Sequence, residues 1–163
     1  MEKNYRALFI IIITALILLS SCYSDADLNY IDTSNLKSFY IANGPFYGKT
    51  YDTVPSYAVD LLAAIDKAIT ERSTEPVDAS LDLNEYEFAD ENLLNLQLAN
   101  VDDSLSLISV FIISDEEGIL SITEQSADET QTRTAHFVFS DAGLVSEAKA
   151  VLSALQAESD AQS

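Results

Sequence analysis

Five short runs between Leu81 and Phe139 carry apolar residues at roughly every second position: Leu81 to Phe88, Leu94 to Leu98, Ser104 to Ile113, Ile119 to Glu124 and Thr132 to Phe139. A period of two sends alternate side chains to opposite sides of an extended backbone, so these runs fit strands that bury one face, and no helix can use the pattern. The run around Leu94 has an alternative, because Asp90 stands where it would cap a short helix. Asp115-Glu116-Glu117-Gly118 supplies the turn of a hairpin between the third and fourth runs. From Leu105 to Ile113 both faces are apolar, which marks a central strand covered on two sides.

The period changes on either side of this block. Ala58, Leu61, Leu62, Ile65, Ala68 and Ile69 follow the i, i+3, i+4, i+7 spacing of one helix face, with Asp60, Lys67 and Glu71 on the wet side. Thr53 is placed to cap this helix, and Pro55 suits its first turn, where a missing N–H costs nothing. Leu144, Val145, Ala148, Val151, Leu152 and Leu155 form a second stripe, capped by Ser140 or Asp141. Helix, strands, helix in that order indicate an α+β domain. We expect a largely antiparallel sheet of four to five strands with two amphipathic helices packed on one face. What covers the other face is not apparent from the sequence.

The amino terminus follows a different logic. Lys3 and Arg6 precede Ala7 to Leu19, an apolar run broken only by Thr14. That length suits a signal-peptide core and falls short of the ~20 residues needed to span a bilayer as a helix. Leu19-Ser20-Ser21-Cys22 follows at once and resembles the lipobox of bacterial lipoproteins. The resemblance covers residues 1 to 22. It implies cleavage before Cys22, diacylglycerol on the Cys22 thiol, and an extracytoplasmic, lipid-anchored protein of the cell envelope. Tyr23 rather than Asp after the cysteine implies an outer-membrane destination in a diderm host. Cys22 is the one cysteine of the chain, so its acylation leaves no thiol for a disulfide or a Cys-based metal site. The expected organisation is a signal peptide at 1–21, an acidic tether at 22–36, a single domain at 37–158 and a frayed tail at 159–163.

Charge excludes several classes of partner. The chain holds 27 Asp and Glu against 8 Lys and Arg, a net of −19; loss of Lys3, Arg6 and Glu2 with the signal peptide leaves 26 acids against 6 bases, a net of −20. Such a surface repels nucleic-acid phosphates and anionic lipid, so no nucleic-acid binding is expected and membrane attachment falls to the anchor. Several motifs come close to a chemistry and miss it. Gly44 to Thr50 has three residues between its glycines where a phosphate-binding loop has four, and Tyr51 to Pro55 separates it from the following helix. Asp25, Asp27 and Asn29 open like a calcium loop, but Tyr30 and Leu36 occupy the positions of its glycine and its bidentate glutamate. His136 is the one histidine and expects a structural or exposed role, with no His-based metal site and no nucleophile motif beside it.

Phe39, Tyr40, Phe46, Tyr47, Tyr51 and Tyr57 crowd into 19 positions. They pack beneath the sheet or, in the alternative reading, form an aromatic platform of Phe39, Tyr40, Phe46, Tyr47 and Tyr51 for a sugar or peptide. A carboxylate-based hydrolase is the least favoured alternative, because 26 acids without distinguishing context single out no pair. The leading expectation is a non-catalytic interaction or envelope-structural module without a cofactor, meeting an envelope protein or a second copy through the uncovered sheet face. The charge has a measurable consequence: salt shortens the Debye length from about 10 Å at 0.1 M to about 3 Å at 1 M, relieving self-repulsion. Urea melts should therefore show a midpoint that rises with sodium chloride, and a falling midpoint would show that specific ion pairs dominate.

Overall fold

The computed structural model describes residues 31, 33–44, 47–70, 74–77, 90–128 and 130–161, with the backbone alone at 74–77 and 90. Strands β1 (Leu36–Asn43) and β2 (Tyr47–Tyr51) form a hairpin followed by helix α1 (Ser56–Thr70) and the short strand β3 (Thr74–Val77). A 3₁₀ turn at Asp90–Asn92 leads into β4 (Leu93–Asn100), β5 (Leu105–Ile112), β6 (Glu117–Gln125) and β7 (Thr132–Ser140), and helix α2 (Ala142–Asp160) closes the fold. The strands make one antiparallel sheet in the order β2-β1-β4-β5-β6-β7-β3. The chain is thus α+β, as its periodicity indicates, but the sheet has seven strands instead of four or five.

The additional strands lie where alternation is hidden. In β1, Tyr40 and Ala42 interleave with Phe39 and Ile41, so the run reads as uniformly apolar rather than alternating. β2 carries Gly48 and Lys49, and β3 carries Pro76, which has no N–H for a ladder and is tolerated at a sheet edge. β2 and β3 are indeed the two edges. The Leu94 run is a strand, and the alternative of a short helix there capped by Asp90 does not hold: Asp90 lies within a single 3₁₀ turn that precedes the strand. β5 is central, as expected of its apolar character, but it is not covered on both sides throughout, since Leu107 is 39% exposed. The expected run at 81–88 lies outside the described residues.

Paired residues share a face, and the register gathers most of the core on one side of the sheet, with Ala42 and Ile119 buried on the other. Phe39 and Ile41 of β1 oppose Leu98 and Leu96 of β4; the same side carries Ile108 and Val110 of β5, Leu120 of β6 and Phe137 of β7. All of them are buried. α2 packs against β1, β2 and β6 on this side, and α1 packs against α2. The helical stripes meet there: Leu61, Ile65, Leu144, Val151 and Leu155 are buried, as their spacing requires. Among the described residues no helix is long and apolar enough to cross a membrane.

Asp141 rather than Ser140 caps α2, its Oδ1 accepting from the N–H groups of Gly143 at 2.8 Å and Leu144 at 3.1 Å. Those two donors have no partner within the helix, which is why a carboxylate at this position stabilises it. α1 begins at Ser56, after Pro55, so Thr53 stands too far upstream to be its cap. α2 continues to Asp160, into the stretch expected to fray.

Two substitutions calibrate these contributions. Leu96→Ala should cost about 2–5 kcal/mol, because it empties a site at the centre of the buried side. Asp141→Ala should cost about 1 kcal/mol, the worth of one exposed helix cap. Urea unfolding of both variants checks the order, and a cap loss as large as the core loss would overturn this account of the packing.

Candidate functional site: the open face of the sheet

The hairpin β1–β2 decides where the aromatic residues go. Gly44 adopts φ 45°, a left-handed turn conformation, and the chain reverses into β2 rather than entering a helix. Glycine suits that conformation because it has no Cβ to clash. The stretch from Gly44 to Thr50 is therefore a hairpin, and Lys49 sits on a strand where a phosphate loop would begin its helix. Phe39 points into the core and is fully buried. Tyr40, its neighbour, points to the opposite side and is 37% exposed. Tyr47 and Tyr51 pair with Asn43 and Phe39 and so lie on the helix side, while Phe46 lies outside the described residues. The sheet thus separates Tyr40 from Tyr47 and Tyr51.

On the helix side, Tyr51 joins a polar clasp that sequence spacing does not reveal. Its hydroxyl donates to Glu158 Oε2 of α2 at 2.7 Å and lies 2.7 Å from the hydroxyl of Tyr57 on α1. Lys49 Nζ reaches the same Glu158 oxygen at 2.9 Å and sits 4.8 Å from the centre of the Tyr51 ring. That separation is within cation–π range. The two tyrosine rings meet edge to face, 6.4 Å between centroids, the arrangement their quadrupoles favour. One carboxylate therefore ties the edge strand to both helices, directly and through Tyr51. The bonds donated by Lys49 and Tyr51 hold the Glu158 carboxyl below its ordinary range. Burial pushes the Tyr57 hydroxyl well above its own. Both groups keep their usual charge state at neutral pH, and the clasp is structural.

The opposite face has another character. Across β1 and β4 to β7, one row of the register runs Leu93, Phe111, Ile119, Val138; the next Ala42, Asn95, Ser109, Ser121, His136; the next Tyr40, Gln97, Leu107, Thr123, Thr134; and the last Ala99, Leu105, Gln125, Thr132. No carboxylate, ammonium or guanidinium group stands in these rows. The acids in register with the face lie at its rim: Glu117 at the start of β6, and Glu75, placed opposite Val138 on the edge strand β3. In a chain with a net charge of −19, this is a strongly biased distribution.

Burial is graded along the strands of this face: Ile119 is fully buried in the first row, whereas Leu107 is 39% exposed and Thr134 and Thr132 are exposed further down. Hydroxyls and amides are partly paired among themselves. Ser109 Oγ donates to Asn95 Oδ1 at 2.7 Å, and the Thr123 and Thr134 hydroxyls lie 3.0 Å apart. Tyr40 leans over the edge strand: a Cβ at Gly48 would run into the Tyr40 hydroxyl, so only glycine leaves the ring room to lie there.

Ser121 stands directly opposite His136, the pairing a nucleophile and its base would need. His136 Nδ1, however, is buried without a hydrogen-bond partner, so no carboxylate orients the ring as in a hydrolytic triad. Among the described residues no three His, Cys, Asp or Glu side chains converge as metal ligands. Comparison of the chain with known protein families, curated proteins and solved structures finds no match.

The clasp makes a pH prediction. A carboxyl lowered on folding stabilises the native state above its unfolded pKa, near 4.5, and loses that contribution as pH falls through the lower folded value. Glu158→Gln should accordingly be less stable than the natural chain at pH 7, and the gap should narrow below pH 4.5. Urea midpoints of the two proteins between pH 3 and 7 test this; a gap constant with pH would mean that Glu158 contributes through packing alone.

Proposed function

We propose that the chain is an extracytoplasmic lipoprotein anchored through Cys22, whose α+β domain is a non-catalytic interaction module that docks through the open face of its sheet. The lack of charge in the rows of that face, in so acidic a chain, carries the reading. Residues at the centre of an interface are depleted of charge. A charge here would have to be desolvated under a partner, and uncharged Asn, Gln, Ser and Thr avoid that cost.

The anchor is supported by Lys3, Arg6, the apolar run from Ala7 to Leu19 and Leu19-Ser20-Ser21-Cys22. Two or three acyl chains, at ~0.8 kcal/mol per buried CH₂, hold a protein stably at a membrane where one chain does not. For a diderm host we propose the outer membrane.

Growth with an alkyne fatty acid should label the natural protein and leave Cys22→Ala unlabelled. A photoreactive benzoylphenylalanine at position Leu107 of the full chain should, on irradiation in cells, trap a discrete protein. Label retained on Cys22→Ala would refute the anchor, and failure to trap any protein would refute the docking face.

A further inference from the structure

Ile119 of β6 is fully buried and Ala42 of β1 is 4% exposed, yet both stand on the side of the sheet away from the helices. Side chains rise roughly perpendicular to a sheet, so neighbours in the register cannot cover the outer end of an isoleucine. Another part of the protein must lie over it. The cover is confined to one end of the strands, because Leu107 and Thr134, two rows below Ile119, are exposed. His136, in the row between, keeps its Nδ1 buried.

The strand order says which part of the chain this is. Each antiparallel pairing reverses direction, so β2, β4 and β3 all run the same way. The chain therefore makes two crossovers between parallel strands. The first goes from β2 through α1 to β3, from one edge of the sheet to the other. The second returns from β3 to β4 in the opposite lateral direction. Crossovers between parallel strands of one sheet are right-handed in about 98% of cases. Two of the same hand that run in opposite directions must pass over opposite faces. α1 belongs to the helix side, so the return belongs to the open face.

We infer that residues 78–89 cross the open face in cis and cover its rows of Ile119 and Ala42, leaving the rows of Tyr40 and Ala99 for a partner. The ends of the segment suit that path. β3 stops at Val77, in the row of His136, and β4 starts at Leu93, in the row of Ile119, so both ends are at the covered end of the strands. Between β3 and β4 lie β5, β6 and β7, a lateral distance of about 19 Å at ~4.8 Å per strand. Residues 78–89 reach up to about 40 Å at ~3.3 Å each. They also bring Leu81, Leu83, Tyr86 and Phe88, the apolar groups that a cover for Ile119 needs. The inference goes beyond the docking reading and stands without it, since it rests on burial and topology alone.

The test uses the full chain in cells, with benzoylphenylalanine in place of Tyr86 or of Phe88, each an aromatic-for-aromatic exchange. Irradiation should give an adduct at monomer mass, and peptide mapping should place the attachment in β5, β6 or β7, within 105–125 or 132–140. Attachment to α1 or α2, or no attachment within the chain from either position, would overturn the inference. Cysteine labelling gives a second readout. Replacing Leu81, Leu83, Tyr86 and Phe88 together by serine should speed maleimide reaction at Ile119→Cys at least tenfold, while Leu96→Cys on the helix side stays protected. An unchanged rate at Ile119→Cys would overturn the inference, and the cross-link decides by itself if the serine variant loses its core. Neither readout depends on whether the probe at Leu107 traps a partner.

Discussion

Burial of one side of a seven-stranded antiparallel sheet beneath a pair of helices is the constraint on which the rest of this domain depends. Because the strand period is two, the requirement that Leu94, Leu96, Leu98, Ile108, Val110 and Leu120 be buried fixes the register, and a slip of one residue would turn the whole set into water. The helices then have no freedom to cover the other side as well. α2 lies along β1, β2 and β6 with α1 against it, and Glu158 fastens this layer to the edge strand. The opposite face is therefore left without a helix, although Ala42 and Ile119 on it are buried.

Charge is distributed accordingly. Among the described residues many acids lie in turns and on the outer sides of the helices, where water screens them, whereas Glu124 within β6 is half-buried and burial pushes its carboxyl up. Several are put to local use, as with Asp141 at the start of α2, Asp128 in the β6–β7 turn and Asp102 in the β4–β5 turn. Asp128 accepts from the Ser126 and Thr130 hydroxyls and the Thr130 N–H, which hold its carboxyl down at about 2. The turns are thus specified by the same residues that make the molecule acidic.

The sequence makes much of this visible and conceals an instructive part. Both helices and strands β4, β6 and β7 follow from periodicity, because each has one wet and one dry side in view, while β5 is marked by its apolar run and the turn to β6. β1 is concealed since Tyr40 and Ala42 are apolar on the open face while Phe39 and Ile41 are apolar on the core face, and two kinds of apolar residue in register look like one cluster. That merging produces the expectation of an aromatic platform, whose Phe39 is core and whose Tyr40 is separated from Tyr47 and Tyr51 by the sheet. The clasp of Lys49, Tyr51, Tyr57 and Glu158 is not legible, since Glu158 lies more than 100 positions from its partners on β2. The uncharged face could be found only once the register was known: its residues come from five strands, and along any single strand they look like ordinary solvent-facing polar positions.

The two edges of the sheet bear on how such a molecule can assemble. β2 is five residues long with glycine at its second position, and β3 is four residues long with proline within it. Edges so short and interrupted are poor templates for another strand. Strand addition is a head-to-tail operation that need never stop, and it is the geometry of fibres. By blunting its edges, the sheet closes the open-ended route to assembly.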